Sequence, residues 1–134
     1  MSFNQLRPAE RTRPFVAVVC VVPLLGEAVR SALEFADVQT FAARGGDLDG
    51  LLRWLRPDVL IVDSDEIAEQ AKGFAGEHEL PVLHVGVEER VLRLYRSGVW
   101  ETITHHDDGP TAESVRNVVA GALFAPAPSG MVAT

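Results

Sequence analysis

Cysteine is nearly absent from this sequence: Cys20 is the only one in 134 residues. A single thiol excludes an intramolecular disulfide and any zinc site built from several cysteines. Positive charge is also scarce, with 12 Lys and Arg against 19 Asp and Glu and a net charge of -7. Binding to nucleic acid or to an anionic membrane needs clustered cations to neutralise phosphates, so neither partner is expected. No apolar run reaches the roughly 18 to 20 residues of a membrane span. The polar N-terminus carries Arg7, Arg11 and Arg13 without the apolar core of a signal peptide, which leaves the cytoplasm as the expected compartment. Gly45-Gly46-Asp47 lacks the Lys and Ser/Thr of a phosphate-cradling loop, and no dinucleotide-binding glycine pattern or internal repeat is present.

What is present is a regular alternation. Residues 1–13 read as a loose polar arm and 125–134, rich in Pro and Ala, as a tail that does not pack. Between them lies one domain, 14–124. Phe15–Val22 is a continuous apolar, β-branched run, the pattern of a central strand covered on both faces. Pro23 suits the first position of a helix, because its missing N–H is not needed there. Leu24, Leu25, Ala28, Val29, Ala32, Leu33 and Phe35 continue that helix with one apolar face.

Further on, Val38–Ala42 reads as a strand, and Asp47 caps a helix running to Arg56. Val59–Val62 is a buried strand ending at Asp63, and residues 66–76 form a helix weakened by Gly73 and Gly76. Pro81–Val87 is a fourth strand, Glu88–Ser97 a helix stopped by Gly98, and Val99–Thr104 a fifth strand. A last helix, capped by Asp108 or Thr111, runs to about Phe124. Five strands alternating with helices predict an α/β fold, a doubly wound five-stranded parallel sheet whose functional crevice lies at the carboxyl ends of its strands.

The segment Arg56-Pro57-Asp58-Val59-Leu60-Ile61-Val62-Asp63 resembles the third strand of bacterial response-regulator receivers, whose final Asp accepts a phosphoryl group. Val19–Leu25, Pro81–Val87 and Ser97–His106 resemble that family's first strand and turn, its fourth strand and its fifth-strand segment. The resemblance spans about residues 14–124 and implies the flavodoxin-like strand order 2-1-3-4-5. It also implies a site that this sequence has largely lost. Cys20 and Val21 stand where the family holds Mg²⁺ with two acids, Gly86 where it has Thr or Ser, and His105 where it has Lys. The Met-Pro-x-x-Asp-Gly stretch is missing, and residues 64–80 leave room only for a shortened loop and third helix. Asp63 alone survives, as a vestigial phosphoacceptor.

That loss carries a chemical consequence. Phosphoryl transfer to a carboxylate needs the charge on the phosphoryl oxygens neutralised, and Mg²⁺ needs oxygen donors that Cys20 and Val21 side chains do not offer. The sequence therefore reads as a pseudo-receiver: a non-catalytic signalling or regulatory module that contacts a protein partner and uses no cofactor or metal. One alternative is a phosphorylated switch at Asp63. Another is a flavodoxin-like domain binding a small ligand or metal near Asp63 and His84.

The remaining candidates have plain structural counterparts. Asp63, Asp65 and Glu66 also suit a strand-ending turn with a helix cap. His84, His105, His106, Asp107 and Asp108 contain metal-ligand types but no metal-ligand spacing, and they equally suit a solvated loop. Cys20, inside an apolar run, reads as an inert small hydrophobe. Arg90, Arg93, Tyr95, Arg96 and Trp100 gather the residue types enriched at interface hot spots. In receivers the corresponding face, from fourth helix through fifth strand to fifth helix, is the usual dimer and output surface. It is the expected site of protein contact and of a homodimer.

Overall fold

The computed structural model describes residues 13–42, 48–86, 90–103 and 111–124. Strand β1 (Phe15–Cys20) is buried at every position, as its unbroken apolar run requires. It is followed by α1 (Pro23–Ala32), β2 (Asp37–Ala42), α2 (Leu48–Leu55), β3 (Val59–Val62), α3 (Asp65–His78), β4 (Val82–Gly86), β5 (Val91–Arg96), β6 (Val99–Ile103) and α4 (Ala112–Phe124). The fold is α/β around one six-stranded sheet of order β2-β1-β3-β4-β5-β6. The first four strands are parallel, while β5 runs antiparallel to β4 and β6 antiparallel to β5.

Because successive strand residues point to opposite faces, β1 and β3 divide their apolar side chains between two cores. Ala17, Val19, Leu60 and Val62 pack against Leu52 and Leu55 of α2 and Ala68, Ala71 and Phe74 of α3. Val16, Val18 and Ile61 face Val29 of α1 and Val115 and Val119 of α4. Each fully buried Leu, Ile or Val contributes about 1.5–3 kcal/mol of transfer free energy, so the paired cores form the main favourable term.

The expected five-stranded, all-parallel sheet is corrected at its second half. Residues 91–96, read as part of a helix over Glu88–Ser97, form β5 instead. Leu92 and Leu94 are buried on the α1/α4 face and Tyr95 on the α2/α3 face, a period of two that a helix cannot satisfy. Ser97 and Gly98 then turn the chain with φ of 56° and 82°. A two-residue loop with both residues left-handed is the hairpin turn whose twist matches paired strands. The last strand thus returns directly rather than through a crossover, and the helix-strand-helix face expected for dimerisation lacks its first helix.

Two smaller differences concern the ends of elements. Arg13, placed in the loose arm, donates to the carbonyls of Glu34 and Ala36, the latter at 3.0 Å, and so ties down the entry to β1. Helix α3 has 14 residues despite Gly73 and Gly76, so the loop before it is short and the helix is not. The rest of the arm and the 125–134 tail lie outside the described residues.

Candidate functional site

The turn after β1 and the turn after β3 meet at the carboxyl edge of the parallel strands. Helix α1 begins with Val22 as its N-cap residue, which offers no side-chain acceptor, and it has no acidic residue in its first turn. Asp63 supplies both from the neighbouring strand. One carboxylate oxygen accepts the Val21 N–H at 2.8 Å and the other accepts the Val22 N–H at 2.9 Å. Helix N-termini leave such donors unpaired and carry partial positive charge, so an anion placed there is stabilised twice over. The residue that resembles a phosphoacceptor thus holds the turn and cap of α1.

Its neighbours divide the remaining roles. Ser64, rather than Asp63, caps α3 by accepting the Ile67 N–H at 3.5 Å, with Asp65 and Glu66 in the first turn. Cys20 is buried, and burial is the main cause that pushes its thiol pKa up, with the Asp63 charge adding to it and a hydrogen bond from the Gly26 backbone opposing it. A thiol held neutral is a poor nucleophile. Val21, on the other side of the turn, is exposed. Gly86 closes β4, paired with Val91.

A second polar group lies on the α3 side of β4 and β5. His84 is buried and stands directly opposite Arg93 across the ladder. The Arg93 guanidinium is 2.8 Å from His84 Nδ1 and 3.0 Å from an Asp65 carboxylate oxygen. Guanidinium only donates, so Nδ1 accepts, and the ring proton of neutral His84 sits on Nε2, 3.5 Å from the same Asp65 oxygen. Arg93 also lies over the Trp100 ring at 4.9 Å, and Trp100 packs against Tyr95 at 5.2 Å between centroids. Arg93 Nε is buried with no hydrogen-bond partner among the described residues. Geometrically this is a strut: it fixes the hairpin to the start of α3 through one cation, one anion and a stacked indole.

Comparison settles no family for this arrangement. No family model, curated protein or solved structure matches the chain.

The five residues singled out as an interaction surface are distributed differently from a helix face. Arg93, Tyr95 and Trp100 share the α3 side, with Tyr95 buried and Arg93 and Trp100 half-buried. Arg90 precedes β5 with φ of 58°, and Arg96 closes the other end of the strand opposite Val99. His105, His106, Asp107 and Asp108 lie outside the described residues. Among the described residues no three His, Cys, Asp or Glu side chains are placed to hold a metal ion.

Two features escaped sequence reasoning. The Arg93–His84–Asp65 contact depends on residues 91–96 being a strand, and the alternation Leu92-Arg93-Leu94-Tyr95 before Ser97-Gly98 is a hairpin signal that competes with the helical spacing over Glu88–Ser97. The exposed run Val21, Val22 and Leu24 was absorbed into the apolar pattern of a strand and helix. Nothing in the one-dimensional pattern marks those three side chains as outward-facing.

Proposed function

We propose that this chain is a non-catalytic regulatory or signalling module, a receiver-like parallel half joined to an antiparallel hairpin, which works by contacting another protein. The reading rests on Asp63. Both of its oxygens accept backbone N–H groups of the α1 turn, and the side chains of Cys20 and Val21 beside it offer no hard oxygen donor. A phosphoryl group on Asp63 would have to displace the cap of α1, and among the described residues no cation is bonded to Asp63 to neutralise it.

The test is intact-mass measurement of the full chain after incubation with Mg²⁺ and acetyl phosphate, alongside amide spectra with beryllofluoride. The expected outcome is an unchanged mass and unchanged amides at Val21, Val22 and Asp63. A phosphoryl mass increment that disappears in Asp63→Asn would replace this reading with a phosphorylated switch.

A further inference from the structure

Among the described residues, five large hydrophobic side chains are exposed: Val21, Val22, Leu24, Trp54 and Val99. Trp54 and Val99 stand apart, on α2 and β6. The other three are nearly consecutive, with Leu24 71% and Val21 62% accessible and Pro23 exposed between them. Single exposed apolar residues are ordinary, whereas a contiguous apolar patch marks a contact surface.

Much of the backbone of this crest is already engaged. Asp63 takes the Val21 and Val22 N–H groups, Pro23 has none, and the Val22 carbonyl accepts the Leu25 N–H at 3.0 Å. A partner strand adding to a sheet edge needs a run of free backbone donors, and Val21, Val22 and Pro23 offer none; a partner helix needs only side-chain contact. Among the described residues, the first charged side chains that follow the crest on α1 and the Asp63 turn are acidic. Glu27 lies one turn beyond Leu24 on α1 and Glu66 follows the Asp63 turn, both exposed, while Asp65 beside Glu66 is already paired with Arg93. Of the described cations, Arg30, in the last turn of α1, reaches the Val38 carbonyl, and Arg93 is bound to Asp65. Apolar anchors within an acidic rim complement an amphipathic helix flanked by Lys or Arg.

We infer that the crest Val21-Val22-Pro23-Leu24 is a docking site for a basic amphipathic helix of a partner protein. The inference rests on the proposed function in taking the chain as an interaction module, and it names where and with what chemistry contact occurs.

The probe is a Leu/Lys amphipathic helical peptide, titrated into the isotopically labelled full chain, with a Leu/Glu peptide of the same pattern for comparison. The Leu/Lys peptide is expected to shift amides at residues 21–27 and 63–66, and the Leu/Glu peptide to shift none. Val21→Ser with Leu24→Asp, both at exposed positions, should weaken binding at least about tenfold, or roughly 1.4 kcal/mol. Glu27→Lys with Glu66→Lys should reverse the preference between peptides. Shifts confined to other surfaces, equal binding of both peptides, or undiminished binding by the Val21/Leu24 variant would overturn the inference. The outcome is separable from that of the parent reading: a failed titration with an unphosphorylated Asp63 removes only this site, whereas a phosphoryl mass increment removes only the non-catalytic reading.

Discussion

At the scale of single residues, Asp63 has its largest effect through backbone contacts rather than through a reaction. Replacing it with Ala strips two charge-assisted bonds from the start of α1 and should cost about 2 kcal/mol, read from denaturant unfolding. Asp63→Asn keeps a carbonyl acceptor but loses the charge and one of the two acceptors, so it should fall between wild type and Ala. Equal stability of all three forms would show that the cap is not needed. Arg93 is likewise a structural cation, and Arg93→Lys should not replace it, because an ammonium cannot both stack on Trp100 and reach His84 and Asp65 as the planar guanidinium does. A lowered unfolding midpoint with altered Trp fluorescence is the expected result for that variant.

Cys20 carries the pH dependence that can be assigned. Its thiol pKa is raised by burial in the fold. The folded chain therefore holds its proton at a pH where the unfolded chain has begun to release it. The resulting stability is fully present below the ordinary thiol pKa, about 8.5, and is lost as pH rises through and beyond it. Cys20→Ala should abolish this part of the alkaline slope. A disulfide reagent should label Cys20 slowly in the native protein and rapidly after unfolding.

At the scale of elements, the approach of α1 to β2 depends on Gly26. A Cβ there would lie 2.6 Å from Thr40 Cγ2. Ala is favoured over Gly in a helix interior by about 1 kcal/mol, yet Thr40 is β-branched and stiff and cannot easily yield. Gly26→Ala is expected to destabilise, and Thr40→Ser, which removes the obstructing methyl, to restore stability in the double variant. If Gly26→Ala alone stabilises, the helix moves more freely than the packing implies. The hairpin obeys the same local logic: period-two side chains and a two-residue left-handed turn outweigh the helical spacing that also fits residues 88–97.

At the scale of the whole molecule, the two cores share one sheet, since β1 and β3 contribute alternate residues to both. Leu60 and Ile61 are adjacent in sequence and fully buried on opposite faces. Leu60→Ala and Ile61→Ala should each cost about 3 kcal/mol while leaving the denaturant slope unchanged, because either loss must melt the same cooperative unit. A changed slope or two separate transitions in one variant would mean that the faces unfold independently.

The parallel half was legible because its signals are local. A fully apolar run predicts a covered strand, Pro23 predicts a helix start, and Val59–Val62 ending in Asp63 predicts a strand and turn, each from neighbours within a few residues. The candidate site was legible only in its members. That Asp63 binds the turn after β1, and that Arg93 joins His84 to Asp65, depends on residues 41, 42, 9 and 28 positions apart in sequence. Local pattern therefore determined most of the strands and helices, the two-sided core and the acidic, single-cysteine character of the chain. Tertiary structure decided the pairing of β5 with β4, the use of the Asp63 carboxylate and the exposure of the Val21–Leu24 crest, since these are set by contacts between segments and not by the period-two pattern and turn that signal the β5–β6 hairpin locally.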